Sequence, residues 1–177
     1  MIEAADYGKA LLELALQEKK DEQIKNELAV VCAAVQKEQG YVTLMDTPAV
    51  GTEEKLALLK RAFSQADPLL LNFLCLLCEK RALYALPACK AAYDKQFDEA
   101  HDILRATAIT AVKMEERQCA ALEKKLAVLT GKRVILTNEL DPSLISGITL
   151  RYGGVQLSDS IRSRLDKLRR SLSETII

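Results

Sequence analysis

The 177-residue chain has little of the side-chain chemistry on which most enzymes depend, since it contains one histidine and no tryptophan. Nucleophilic and general acid–base sites are usually built around a histidine paired with a Ser, Cys or acidic side chain. The single histidine, His101, has no such grouping around it in the sequence, which favours a surface or packing role. Aromatic residues make up only 5% of the chain, and this disfavours a base-stacking surface for nucleic acid.

The chain also lacks an excess of charge of either sign, with 25 Lys and Arg against 25 Asp and Glu. Phosphate binding needs an excess of Lys and Arg, so we expect no nucleic-acid partner. The charge is nevertheless uneven, because residues 1–104 hold 12 basic and 17 acidic side chains and residues 105–177 hold 13 and 8. This asymmetry indicates either two units with different partners or two differently charged solvated faces, and the sequence leaves both open.

No long hydrophobic run or export signal is present. The first six residues include Glu3 and Asp6 and no basic side chain. The longest apolar run, Leu69 to Cys78, is interrupted by Asn72. This run has about half of the ~20 residues that a membrane span needs. The five cysteines are irregularly spaced and odd in number, as expected for free thiols in a reducing compartment. We therefore expect a soluble intracellular protein without direct membrane insertion.

Short motifs that suggest a cofactor or a metal have ordinary structural explanations here. Cys75 and Cys78 have zinc-type spacing, but they lie in an apolar helix and no second ligand pair completes the site, so we expect core packing. Gly153-Gly154 lacks the strand and helix context of a nucleotide site and is typical of a turn. We accordingly predict no catalytic residue, no cofactor and no metal.

Residues 1–104 predict an all-α bundle of five or six helices. The stretch from Leu69 to about Lys80 is apolar nearly all round, which is typical of a helix at the centre of a bundle; Asp67-Pro68 gives it a cap and a first-turn proline. The segment Gly40–Gly51 contains Pro48 and is predicted to be a loop. The remaining predicted helices are one around Tyr7, Leu11 and Leu14, one from Ile24 to before Gly40, one from Thr52, and a fifth from about Leu83 to Asp98.

Residues 105–177 predict a small α+β domain with a short sheet and two helices, so the fold class is α+β. The boundary is expected near residues 101–105. Ile103–Val112, Arg133–Thr137 and Gly147–Leu157 have strand patterns. One helix is predicted from Glu115 to Thr130, with Gly131 as its stop, and the last from Ser158 to Leu172. Arginines flank the apolar stripe of that last helix, and they could meet an acidic partner helix or only solubilise the surface.

Three segments together resemble a known family. The order D-P-S-L-I-x-G-I-x-L-R-x-G from Asp141, followed by S-I-R-x-R-L-x-x-L from Ser160, is similar to the C-terminal signature of the δ subunit of bacterial F-type ATP synthase. The mitochondrial counterpart is the oligomycin-sensitivity-conferring protein. The stretch Tyr7–Ala15 resembles the opening Y-A-K-A-L-F-E-L-A helix of that family, and Asn72–Pro87 resembles its mid-chain element. The sequence departs from the family pattern at Gly154 and at Ser158-Asp159.

The resemblance implies a non-catalytic connector, present as one copy per complex and monomeric in isolation, at the cytoplasmic face of the cell membrane. In the family, the helical bundle binds the N-terminal segment of an α subunit on the F1 head, in a groove that involves the first and fifth helices. The second domain binds the b subunits of the peripheral stalk, so the head stays stationary against rotor torque during proton-driven ATP synthesis. The resemblance carries over an interface role to Tyr7, Leu11, Leu83, Leu86, Arg162 and Leu165, and a fold role to Asp141, Gly147, Arg151, Gly153 and Ser160. Arg164 and Arg169 join the candidate interface as charged residues beside the apolar stripe of the last helix.

Two alternatives remain open at this stage. The first helix has a broad apolar face with Leu11, Leu12, Leu14 and Leu16, which could receive a partner helix in a groove or simply be buried in the bundle. For the whole chain, the alternative function is a regulatory or ligand-binding α+β protein with a helical accessory domain. Its support is the number of cysteines and the position of His101 at the domain junction.

Overall fold

A computed structural model describes residues 4–144, 147–153 and 155–158 of the protein. The chain divides into two compact units, residues 1–97 and 98–177. This division lies inside a helix and a few residues before the boundary suggested by the sequence. Each unit is described by itself below.

The first unit is a bundle of helices around a leucine-rich core. Leu28, Leu59, Leu74 and Leu77 are each at most 1% exposed. The helices are α1 (Ala4–Gln17), α2 (Asp21–Lys37), α3 (Gln39–Asp46), α4 (Thr52–Ala62), α5 (Pro68–Glu79) and α6 (Leu86–Ala100), with a 3₁₀ turn at Leu83–Ala85 before α6.

Helix α5 begins as the sequence predicts, with Asp67 as its cap and Pro68 in its first turn. The Asp67 carboxylate accepts a hydrogen bond of 2.9 Å from the Leu69 amide, and its other oxygen lies 3.0 Å from Lys20 Nζ. The Asp67 amide in turn donates to Glu27 of α2 at 2.7 Å. The start of α5 is therefore tied to the bundle by backbone and side-chain bonds together.

The predicted loop from Gly40 to Gly51 is wrong in its first half, because Gln39–Asp46 forms helix α3. Met45 of this helix is fully buried, and Tyr41 and Val42 are partly buried. These three apolar side chains lie on one helical stripe, and their burial outweighs the low helix propensity of Gly40. The bundle consequently has one more helix before α4 than the sequence pattern indicated.

The second unit contains a four-stranded sheet and helix α7 (Glu116–Thr130). The strands are β1 (Ile103–Thr110), β2 (Arg133–Leu140), β3 (Ile148–Tyr152) and β4 (Val155–Ser158), in the spatial order β2-β1-β3-β4. β1 and β2 are parallel and are joined through α7, while β1–β3 and β3–β4 are antiparallel. A parallel pair needs a crossover of this kind, so the β1-α7-β2 order in the sequence fixes this part of the topology.

Helix α7 packs Leu126 against Ala106 and Ala108 of β1 and Leu150 of β3. Small residues on the central strand let the helix approach the sheet closely. The helix ends at Gly131, which has a φ of 68°, as the sequence predicts. The left-handed conformation at this position favours glycine because it has no Cβ.

The predicted fold class is confirmed, since the described chain is a helical bundle followed by a small sheet with a helix. The predicted last helix, Ser158–Leu172, lies almost entirely outside the described residues. Within the described part of the chain, no helix combines the length and apolar character that a bilayer span requires.

Candidate functional site

The first unit carries an open apolar groove between α1 and α5, with a volume of about 400 Å³. Its α1 wall consists of Tyr7, Ala10, Leu11 and Leu14, with Asp6 at one end. Its α5 wall consists of Leu69, Asn72, Phe73 and Leu76. On both helices the residues follow the i, i+3, i+4, i+7 spacing of a single helical face. The groove is thus formed by two stripes, one on α1 and one on the neighbouring helix α5.

Several apolar side chains of this groove remain in contact with solvent. Leu14 is 48% exposed and Leu76 is 39% exposed, whereas Leu11 and Phe73 form the floor at 2% and 7%. A floor of buried apolar groups with exposed leucines along the rim is the shape into which a third helix packs. The groove offers burial to a partner and no reactive group.

The structure brings only part of the predicted interface to this groove. Tyr7 and Leu11 of α1 lie in its wall. Leu83 and Leu86, which were expected to contribute from the fifth helix, do not line it and are 1% and 0% exposed. A side chain without exposed surface in the free protein cannot contact a partner unless the bundle rearranges. These two residues are therefore removed from the candidate surface and belong to the core.

The reason for this error is the missed helix α3. Without it, the helix that starts at Leu83 is counted as the fifth, whereas the fifth α-helix of the structure is Pro68–Glu79. The α5 residues of the groove that were not predicted from the sequence are Leu69, Asn72, Phe73 and Leu76. The sequence contains a signal for this wall, because α5 is apolar nearly all round. Such a helix packs one face in the core and presents a second apolar face that a partner can bury.

The fold-signature residues of the second unit serve turns and cross-strand contacts. Asp141 follows β2 and accepts a hydrogen bond of 2.9 Å from the Ser143 amide, which holds a tight Asx turn. Gly147 and Gly153 have φ values of 101° and 52° and flank β3. Arg151 Nη2 lies 2.7 Å from Glu139 Oε2, so this arginine joins β3 to β2 across β1. Ser160, Arg162, Arg164, Leu165 and Arg169 lie outside the described residues.

The second unit has one concave surface that the sequence did not predict. Met114, Cys119 and Ala120 line it on the α7 side, and Asn138 and Leu140 line it from β2. Its volume is about 500 Å³, and three charged residues, Lys113, Glu116 and Glu123, also line it. The mixture of charged and apolar groups distinguishes this surface from the α1–α5 groove.

The thiols of the first unit are placed for packing and not for nucleophilic chemistry. Cys78 is 2% exposed and Cys75 is partly buried. Burial raises the pKa of the thiols of Cys32, Cys75 and Cys89, so the reactive thiolate form is disfavoured at neutral pH. Among the described residues, no three His, Cys, Asp or Glu side chains are grouped so as to hold a metal ion.

Comparison with known proteins shows which family the chain belongs to. Residues 4–172 match the sequence profile described as "ATP synthase delta (OSCP) subunit". The chain belongs to the ATP synthase delta (OSCP) family. It is 31% identical over 170 residues to the ATP synthase subunit delta of Flavobacterium johnsoniae, which covers 96% of each chain. It is also 31% identical over 173 residues to that of Nostoc sp., which covers 97% of this chain and 94% of the relative.

The fold of the delta (OSCP) family is also found among solved structures. A chain of the Toxoplasma gondii mitochondrial ATP synthase hexamer aligns with a TM-score of 0.72 at 23% sequence identity, over 97% of this chain and 98% of the other. At this identity the likeness is one of fold. Membership of the delta (OSCP) family makes the protein a non-catalytic subunit of ATP synthase, which agrees with a site that offers a groove and no reactive groups.

Proposed function

We propose that the protein joins the F1 head of ATP synthase to the peripheral stalk and so holds the head stationary against rotor torque. In this proposal the α1–α5 groove binds the N-terminal segment of an F1 α subunit as an amphipathic helix. The second unit binds the ends of the b subunits at the cytoplasmic face of the membrane. The observation that carries the proposal is the open groove itself, since two apolar helical stripes face each other with Leu14 and Leu76 uncovered.

The charge of the first unit is compatible with such a partner. Residues 1–97 carry 12 basic and 14 acidic side chains, a net charge of −2, and Asp6 lies at one end of the groove. A partner helix with an apolar face flanked by basic residues would be attracted to this unit and oriented along it. The apolar stripe would supply the affinity, and the acidic surroundings would favour a basic partner over an acidic one.

The second unit is proposed to bind the stalk because it is the basic half of the chain. The two candidate contact regions are the concave surface lined by α7 and β2 and the predicted last helix with Arg162, Arg164, Leu165 and Arg169. Residues 98–177 carry 13 basic and 11 acidic side chains, a net charge of +2. Two units of opposite net charge suit a subunit that binds a different partner at each end.

The alternative of a regulatory or ligand-binding protein has lost its support. It depended on the number of cysteines and on His101. Burial raises the pKa of the Cys32, Cys75 and Cys89 thiols, and the family profile matches residues 4–172.

The groove is tested by placing a charge on its rim. We expect Leu14→Asp to weaken binding of a synthetic peptide from the N-terminus of the cognate α subunit at least about tenfold, because a carboxylate in an apolar contact loses hydration without a partner. Leu16→Asp is the matched control, since Leu16 is 40% exposed on the same helix and does not line the groove. Isothermal titration of the full chain measures both variants.

The control determines how the titration is interpreted. Leu16→Asp should bind within about twofold of wild type, and both variants should keep the helical circular dichroism of the wild type. Equal affinities for Leu14→Asp and wild type would show that the peptide binds elsewhere. Absence of binding to the wild-type protein would remove the proposed function altogether.

A further inference from the structure

One residue of the α1–α5 groove differs in kind from its neighbours. Asn72 lies on the α5 wall one turn after Leu69 and one turn before Leu76, beside Phe73. Its side chain is exposed, so water satisfies the carboxamide while the groove is empty. The other lining residues with a polar side-chain atom, Asp6 and Tyr7, lie at the N-terminal end of the α1 stripe, where solvent can still reach their polar atoms when the groove is filled. Asn72 is therefore the polar group that a bound helix would remove from water.

Covering Asn72 has an energetic consequence for the partner. A carboxamide has two N–H donors and an acceptor oxygen, and burying a polar group without a hydrogen bond carries a desolvation cost. A partner that presents only apolar side chains to this position would pay that cost. A partner with one hydrogen-bonding side chain at the matching position would avoid it.

The apolar residues of the groove cannot fix the position of a helix along it. Leu69 and Leu76 are separated by two helical turns, and Leu11 and Leu14 by about one turn, so a leucine-rich helix could shift by a turn and still bury its stripe. In coiled coils, a single asparagine in an otherwise apolar interface specifies register at some cost in stability. Asn72 is placed in the groove in the same way.

We propose that Asn72 determines the register of the helix that binds in the α1–α5 groove. The bound helix carries one hydrogen-bonding side chain within its apolar face, and it docks where that side chain meets the Asn72 carboxamide. This inference rests on the proposed function, in which the helix is the N-terminal segment of the cognate α subunit. The inference adds the requirement that the apolar face of the bound helix carries a hydrogen-bonding side chain, which an apolar groove alone does not impose.

A double-mutant cycle tests the pairing. The full chain is prepared as wild type, as Asn72→Leu and as Asn26→Leu, the last being an exposed asparagine on α2 that does not line this groove. The probes are the synthetic α-subunit peptide and a set in which each polar residue on its apolar face is replaced singly by leucine. We expect one substituted peptide to bind wild type and Asn26→Leu at least about fivefold more weakly than the parent peptide. The same peptide should bind Asn72→Leu no more weakly than the parent peptide does.

Register is measured directly with a nitroxide at one end of the parent peptide. In the wild type, line broadening of backbone amides should be confined to one end of α1. In Asn72→Leu it should spread along α1, because the peptide then occupies positions one turn apart.

The possible results separate the two proposals. The role of Asn72 is overturned if the parent peptide binds wild type, if Asn72→Leu restores the affinity of none of the substituted peptides, and if amide line broadening in Asn72→Leu stays confined to one end of α1. This result would leave the groove as the binding site. Failure of the parent peptide to bind wild type overturns the proposed function, and the register proposal fails with it.

Discussion

Gly8 determines how closely α1 approaches α6. A Cβ at this position would lie 2.4 Å from the Cys89 carbonyl oxygen and 2.8 Å from the Ala92 Cβ. The first of these contacts is with backbone, which cannot rotate away as a side chain would. The family motif that the α1 sequence resembles has alanine here, so this chain is expected to place its first helix closer to α6.

We predict that Gly8→Ala lowers the free energy of unfolding by about 1–2 kcal/mol. The overpacking cost of about 1–3 kcal/mol exceeds the gain of up to about 1 kcal/mol from replacing a helical glycine. Gly40→Ala is the control, because nothing lies within 4 Å of its added Cβ, and it should leave stability unchanged or raise it. Urea unfolding measures both variants, and equal effects would show that α1 and α6 are not in close contact.

Asp67 gives the first unit a pH-dependent contribution to stability. Its pKa is lowered from the ordinary value of 3.8, first by the hydrogen bond from the Leu69 amide and then by Lys20. A lowered folded-state pKa means that the contribution is complete above the unfolded pKa and is lost as the pH falls through the folded pKa. The stabilising contribution of the Asp67 charge is therefore lost progressively as the pH falls below about 4.

Asp67→Asn tests this contribution because asparagine also caps helices well but carries no charge. At pH 7 the wild type should be the more stable of the two. The difference should shrink as the pH is lowered from about 5 to 2, measured by thermal unfolding at constant ionic strength. A difference that stays constant over this range would mean that the Asp67 charge does not stabilise the bundle.

At the scale of elements, Asn138 joins three parts of the second unit. Its Nδ2 donates to the Ala108 carbonyl and to Thr110 Oγ1 of β1, both at 2.9 Å. Its Oδ1 accepts from the Met114 amide at 2.9 Å, just before α7 begins. One side chain on β2 thus satisfies backbone groups on the neighbouring strand and on the approach to the helix.

We predict that Asn138→Ala destabilises the second unit by about 2–3 kcal/mol, since it leaves several partly buried polar groups without partners. Thr137→Ala is the control, because Thr137 is the preceding residue on the same strand and is exposed. Hydrogen exchange detected by mass spectrometry should show faster exchange in β1 and β2 for Asn138→Ala alone. If exchange in these strands is unchanged, the hydrogen bonds contribute little.

The elements that could be predicted from the sequence are those with strong local signals. Asp67-Pro68 marked the start of α5, and Gly131 marked the end of α7. These signals can be recognised in the sequence because each residue determines the conformation of the backbone next to it. Helix α3 was missed because Gly40, Pro48 and Gly51 suggest a loop, while its stability comes from burying Met45 in the bundle. Asn138 was missed for a related reason, since its three partners come together only after β1, β2 and α7 have packed.

At the scale of the whole molecule, the sequence predicted the order of a helical bundle and a small α+β unit. Periodicity switches from helical to alternating near Ile103, and this change can be seen without a structure. The groove could not be placed in this way, because its two walls belong to helices that are distant in sequence. Missing α3 shifted the predicted wall from α5 to Leu83 and Leu86, which are buried in the core.

The central claim is that one chain binds the F1 head and the stalk at the same time through different units. The most direct test is native mass spectrometry of the full chain with the α-subunit N-terminal peptide and the soluble C-terminal segment of the cognate b subunit. We predict a complex containing all three components, and we predict that Leu14→Asp loses the α-subunit peptide while keeping the b segment. Mutually exclusive binding of the two partners, or loss of both with Leu14→Asp in a folded protein, would contradict the account.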